Sequence, residues 1–334
     1  MNKWYQSNAD NSDVVLFSKI RLARNIADAP FPGRMSNDIR KSISKKIYAT
    51  VKSSQLANEF DLVNLSEKSK ADAAAYFEKH LISREFAANR KSHAFLKSKN
   101  DDISIMLCEE DHIRICAFAG GQNLEKAYEK ADCVDNIFIE NLHIAFSERL
   151  GFLTASPINL GTGLKASLVL HLPALANQGS IYRLSSMVAK LGLSLRELYT
   201  DGAGDIYVLS NQVSLGISEK SAIDNLNAIC AQIVKQERSA REELKENSDY
   251  EDKIYRTLGI MKSARKLDYG EFLNFLSQIR LGISLGYFDI DYETIGDLLY
   301  NMGDASLVSS AQAELTKNMC CVLRAKLVRE KLEK

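Results

Sequence analysis

The 334-residue sequence has no apolar run near the roughly 20 residues that a membrane-spanning helix needs. It has no net charge, with 43 basic residues against 43 acidic ones. Neither nucleic acid nor an anionic membrane is therefore expected as a bulk partner. None of its six cysteines forms a C-x-x-C pair, which speaks against a zinc ribbon or a disulfide framework. The thiols are expected to be reduced, and most of them to be core residues. Internal repeats and low-complexity tracts are also missing. The opening segment MNKWYQSNADNSDVVLF lacks the apolar stretch of a signal peptide, so the expected location is the cytoplasm.

What is present is enough apolar material, 46% of the residues, for a sizeable core in one large domain or two. The stretch Ile103 to Ala119, ISIMLCEEDHIRICAFA, reads as one strand buried in a sheet. Glu109, Glu110, Asp111, His112 and Arg114 stand in its middle. Five ionisable groups there are costly unless something pairs with them. In a strand, Glu110, His112 and Arg114 would share one face. Two readings fit that row: a satisfied salt-bridge cluster, or a site that holds a cation and an anion side by side.

Three more stretches accompany it in order: FSKIRLARN, SPINLGTGLKASLVLHLPAL and SNQVSLG. Together with EEDHIRI they resemble the ATP:guanidino phosphotransferases (phosphagen kinases), and within them the bacterial branch that acts on protein arginines. The resemblance runs from about Val14 to the C-terminus. It implies an α+β fold, a curved and mainly antiparallel sheet flanked by helices, followed by an all-helical domain. The expected division is 1–246 catalytic and 247–334 helical, with KENSDYED at the boundary.

The resemblance also implies residue roles. Glu110 and Asp201 would hold and deprotonate a guanidinium, and Ser156 stands where the family has a cysteine beside that group. Asp201 is one methylene shorter than the family glutamate, in a flap about three residues shorter. ATP would be gripped by Ser18, Lys19, Ile20 and Arg21, by His80 against the adenine, by Arg114, by Lys165, Ala166, Ser167, Leu168 and Val169, and by Arg196. Mg²⁺ would bridge the phosphates, with no protein metal site. The family has arginine where Lys19 and Lys165 stand, and a lysine loses the planar fork. It has asparagine where Cys108 stands. The phosphoarginine-binding RDxxRA motif of bacterial members is reduced to Arg324 and Ala325. Implied partners are protein substrates with exposed arginines, a small zinc-binding activator, a transcriptional repressor, a Clp-type protease and a second copy of the chain. A second reading rests on the same substitutions: a weak or inactive homologue serving as an adaptor.

The remaining expectations come from periodicity and punctuation. Residues 1 to 12 read as loose, and Val14 to Leu16 as a short strand. Helices are expected from a Ser36 cap to about Ser53, from Lys68 to His80, Asn123 to Ser147, Ser180 to Leu191 and Ser218 to Glu246. LSLRELY and DIYVLSNQVSL read as strands. From Tyr250 onward the pattern is helical, with breaks expected at Gly270, Gly282 and Gly303.

Overall fold

The computed structural model describes residues 3–6, 9–91 and 93–333, without the side chain of Asp201. In chain order the elements are β1 (Val15–Arg24), α1 (Asn37–Lys52), β2 (Phe60–Asn64), α2 (Lys70–Glu78), α3 (Arg84–Ala88), β3 (Ala94–Ser98), β4 (Ile103–Leu107), β5 (Ile113–Gly120) and α4 (Leu124–Asn141). There follow β6 (Phe146–Ser147), β7 (Gly151–Phe152), β8 (Leu164–His171), α5 (Pro173–Asn177), α6 (Ile181–Ala189), β9 (Leu193–Glu197), β10 (Ile206–Asn211) and α7 (Glu219–Lys245). The last are α8 (Ser248–Ser263), α9 (Tyr269–Ser284), α10 (Tyr292–Asn301), α11 (Asp304–Ala311) and α12 (Lys317–Leu332).

Eight strands form one antiparallel sheet in the order β2-β3-β4-β5-β1-β8-β10-β9. The expected curved antiparallel architecture with a helical C-terminal part is what the chain adopts. Alternation sorts each central strand into two faces. On β1 and β8, Ile20, Leu22, Ala166 and Leu168 point into the core formed with α4 and α7. Phe17, Lys19, Arg21, Lys165, Ser167 and Val169 line the opposite face.

Several expectations need correction. Ile103 to Ala119 is not one strand but the hairpin β4–β5, closed by the loop 108–112, with the Cys108 N–H donating to the His112 carbonyl at 2.9 Å. The acidic run that would be costly inside a sheet is the part expelled into the turn. Glu110, His112 and Arg114 therefore do not form a row on one face. β1 extends to Arg24 and is a central strand, far longer than Val14 to Leu16.

The N-terminal segment is anchored. Trp4 is buried and stacks on Phe118 at 5.0 Å, and it meets Phe17 and Tyr300 edge-on. The helix expected to reach Ser147 ends at Asn141, because the next residues bridge to the segment that follows β1: Ala27 N–H to the His143 carbonyl at 2.8 Å, and Ala145 N–H to the Asn25 carbonyl at 2.7 Å. Gly270 and Gly282 both lie inside α9. A Cβ at Gly282 would come within 2.8 Å of Ile254 and nearer still to Phe288, so this glycine serves helix packing and not a helix end. Gly303 does fall at a break, capping α11.

The helical region has its own core around Phe272, Leu276, Ile295, Leu298, Ala325 and Val328. It also grips the sheet layer. The buried His171 lies 2.9 Å from Ser277 Oγ through Nε2, and Ser277 donates to the Asp205 carboxylate at 2.8 Å. Burial pushes the His171 imidazole well below its usual range, with Arg280 and Arg241 adding to the effect.

Candidate active site

The register of β1 assembles the site. Lys19 stands between Phe118 and Ser167, and Arg21 between Cys116 and Lys165. Arg114, two residues along β5 from Cys116, falls on the same face. The four cations share a cavity of about 180 Å³, on the order of six waters' worth of space. Phe17, His80, Val169, Val208 and Leu198 make its other end apolar. Arg196, exposed at the end of β9 opposite Val208, adds its field to Lys165.

These cations have little negative charge to answer them. Arg114 pairs with Glu109, the acid beside the expected one. Among the described residues, Lys19, Arg21, Lys165 and Arg196 make no ion pair. Arg21 Nη2 donates to Asn159 Oδ1 at 3.0 Å, while its buried Nε has no hydrogen-bond partner. Lys19 Nζ sits 5.1 Å from the centre of the Phe118 ring and 3.5 Å from the His80 carbonyl.

Their ionisation reflects this crowding. Burial, reinforced by Arg21, Arg196 and Arg114, lowers the Lys165 pKa to about 8. Burial and the neighbouring arginines also pull Lys19 down. Arg21 falls to about 10 through burial and Arg114. Burial works against Arg114 too, but Glu109 outweighs it and the net shift is upward. The Glu109 carboxylate is desolvated as well, yet Arg114 and Ser83 hold it below its usual value. Burial beside Lys19 takes His80 to about 3, so its ring is neutral near pH 7.

The acidic loop has a rigid base and a free tip. Asp111 Oδ1 accepts from Asn25 Nδ2 at 2.6 Å and from Ala155 N–H at 2.7 Å. His112 Nδ1 accepts from Ile26 N–H at 2.9 Å, and its Nε2 lies 3.0 Å from the Pro30 carbonyl. Both side chains are buried and act as ties between the loop, β1 and the Ser156 segment. Glu110 is the exposed member. Its N–H donates to Glu109 Oε2 at 2.8 Å, and its carboxylate is close enough to favour the charged forms of Arg21 and Arg114. Cys108, where the loop begins, has φ of +54°. Asparagine tolerates this left-handed region better than most residues, which gives the family's asparagine a physical reason.

Of the expected site residues, Lys19, Arg21, Arg114, Lys165, Ser167, Val169 and His80 come together in the cleft. Ser18, Ile20, Ala166 and Leu168 do not reach it with their side chains. Ser18 Oγ donates to the Gly121 carbonyl at 2.8 Å and accepts from Asn123 N–H at 2.7 Å on the helix side. Ile20, Ala166 and Leu168 belong to the helix-side core. Ser156 lies in the loop before a short 3-10 turn, Pro157–Asn159, with its carbonyl accepting from Asn159 N–H at 3.0 Å. The backbone of Asp201 sits in the 3-10 segment Thr200–Asp205, and its side chain lies outside the described residues. Glu109 and Asn159 were missed by sequence reasoning. Each lies inside a motif already quoted, EEDHIRI or SPINLGTG, without having been given a role there.

A basic cleft of this kind, floored by an antiparallel sheet and bordered by a free carboxylate, suits transfer of an anionic group to a cationic acceptor. The comparisons give that class its name: residues 42–240 match the family model for the ATP:guanido phosphotransferase C-terminal catalytic domain, and the chain belongs to this family. Residues 247–334 match the model for the C-terminal domain of the protein-arginine kinase McsB. The relatives are more particular. The chain is 40% identical to the protein-arginine kinase of Clostridium acetobutylicum, over 99% of this chain and 100% of that one. It is 37% identical to that of Caldanaerobacter subterraneus subsp. tengcongensis, over 97% and 98%.

Solved structures agree on the fold. The duplicated taurocyamine kinase of Schistosoma mansoni with bound transition-state-analog components superposes with a TM-score of 0.64 at 24% identity, over 72% of this chain and 35% of that one. Lombricine kinase gives 0.61 at 22% identity, over 70% and 68%. Among the described residues no helix is long and apolar enough to cross a membrane.

Proposed function

We propose that the chain transfers the γ-phosphoryl group of ATP to the guanidino group of arginines in proteins. The observation that supports this most directly is the set of cations at Lys19, Arg21, Lys165 and Arg196 that, among the described residues, make no ion pair, beside the exposed Glu110. Positive charges crowded together in a partly buried cleft are costly, and a triphosphate would supply the missing anion. The orphaned Arg21 Nε is a donor available to a phosphate oxygen. The apolar end around Phe17, Val169 and Val208, next to the neutral His80, suits the base.

Glu110 holds the substrate guanidinium by charge-assisted hydrogen bonds and orients one nitrogen toward the phosphorus. As that N–P bond forms and the bond to the ADP oxygen breaks, the nitrogen's proton passes to a carboxylate, Glu110 or Asp201. The cations balance the charge spread over the transferring group. Among the described residues no group of three His, Cys, Asp or Glu is placed to hold a metal. Mg²⁺ would arrive on the phosphates and add charge neutralisation there. Residues 1–246 would form the catalytic unit and 247–334 a helical unit.

The adaptor reading draws on Ser156, Lys19 and Lys165, which stand where the resemblance puts a cysteine and two arginines. An assay on an arginine-rich unfolded protein with Mg-ATP, reading acid-labile phosphate, separates the two. Phosphoarginine formation supports the kinase. Its absence supports the adaptor, and that reading gains further if Mg-ATP gives no thermal stabilisation.

A further inference from the structure

Three loops beside the cleft are fastened backbone to backbone. Gly151 bridges Gly161, and Phe152 N–H donates to the Gly161 carbonyl at 2.8 Å. Thr162 N–H donates to the Ser214 carbonyl at 3.1 Å, and Ser214 Oγ lies 2.8 Å from the carbonyls of both Ile158 and Leu160. A Cβ on Gly161, whose φ is +98°, would fall 2.3 Å from the Ser214 oxygen. The β6–β7 hairpin, the Ser156 loop and the 213–215 loop are therefore one rigid unit.

This unit presents apolar side chains outward. Ile158 is 69% exposed and Phe146 57%, with Leu150, Val213 and Leu215 between 37% and 47%. Residues 156–162 and 212–217 contain no charged side chain, and the charge on this unit sits in the β6–β7 turn, at the exposed Glu148 and Arg149. Several exposed apolar side chains carried on one set of mutually fastened loops are a recognition feature more often than an accident. Its position selects the occupant. Ile158 points to solvent while the next residue, Asn159, is buried and holds Arg21. The rim thus begins one residue from the cation cluster, on the side where Ala155 is tied to the acidic loop of Glu110.

We infer that this rim binds apolar residues flanking the target arginine of an extended polypeptide, so that sequence context around the arginine sets substrate preference. The inference rests on the arginine-kinase reading and deepens it. A free guanidine compound held in the cleft has no flanking residues to place against Ile158. A polypeptide whose arginine enters the cleft passes the rim on its way out. Because the loops are already locked, binding orders little of the protein.

The test uses the full chain and two peptides with a central arginine, one with Leu and Phe flanks and one with Gly and Ser flanks. The wild type is expected to favour the apolar-flanked peptide by about tenfold in kcat/KM, through KM, as a few buried apolar contacts give. The double variant Ile158→Ser, Val213→Ser is expected to lose that preference while its rate on the Gly/Ser peptide stays unchanged. Ile260→Ser, which removes an exposed apolar side chain on α8, is expected to keep it. A preference that survives in the double variant, or is absent in the wild type, overturns the inference. Fluorescence anisotropy of labelled peptide gives a readout that needs no turnover. If neither peptide is phosphorylated, the kinase reading fails, and loss of anisotropy-detected binding in the double variant still decides the rim. If sedimentation finds a wild-type dimer that the double variant dissolves, with peptide binding unchanged, the rim is a self-association surface and the inference falls.

Discussion

Arg21 and Arg24 are three residues apart on the same strand, and they lead opposite lives. Arg24 lies on the helix face, where it meets Asp135 at 2.7 Å, donates to the Thr162 carbonyl at 2.9 Å and covers the Phe152 ring at 3.5 Å. Glu237 on that side is matched more fully, by Arg241 at 2.8 Å and by the N–H groups of Ala174 and Leu175, whereas Asp135 Oδ1 is left without a partner. Arg21 lies on the cleft face, hydrogen-bonded to one amide oxygen and without an ion pair among the described residues, with Arg114 beside it and the weaker influence of Glu109 and Glu110 to offset the repulsion. Charge that the chain answers internally is structural. Charge left unanswered in a cavity is arranged for something that binds.

That contrast can be broken in graded ways. The largest effect belongs to the exposed acid. Glu110→Gln should lower phosphoryl transfer by roughly 10²–10⁴-fold, the range for a general base, while ATP binding measured by calorimetry is retained. Next comes the pair on the helix face. Arg24→Ala leaves Asp135 buried without its cation and should cost about 3–5 kcal/mol in urea unfolding. Arg21→Ala should cost little or nothing in the same experiment, because it relieves repulsion, and should instead weaken ATP. Equal destabilisation by the two would erase the distinction.

Smaller effects sharpen it. Lys165, with its pKa near 8 in the free protein, must be protonated to hold phosphate. ATP affinity should therefore weaken by up to about tenfold per pH unit above 8. The stability of the free protein should move the other way over the same window. Lys165 has a depressed folded-state pKa, so the unfolded chain binds more protons above pH 8, and stability rises until the unfolded value near 10.4 is passed. Calorimetry and denaturation at matched pH check both signs. Smallest is Cys108→Asn. It places a residue that tolerates positive φ where the loop requires it, between the Ser44 hydroxyl and the Arg40 carbonyl, and should add about 1 kcal/mol to stability.

The cations of the cleft were legible in the sequence because they sit in long motifs at strand spacing. Which of their neighbours face them was not. With Val14 to Leu16 read as a short strand, FSKIRLARN falls outside it, and its parity emerges only because β1 is a central strand running to Arg24. The acidic stretch misled for a related reason. Apolar residues on both sides look the same whether the chain runs straight or turns back, and only tertiary pairing distinguishes Glu109 from Glu110. Trp4 escaped notice because the polar residues around it suggest a loose end, while its own ring settles among Phe17, Phe118 and Tyr300.

The short segment that carries Asp201 is stitched to α9: Gly204 N–H donates to Asn274 Oδ1 at 2.9 Å, and Tyr199 meets Tyr269 edge-on at 6.1 Å. The helical region is thus tied to the segment that follows Leu198, a residue lining the cleft. A displacement of α9 would carry that segment with it.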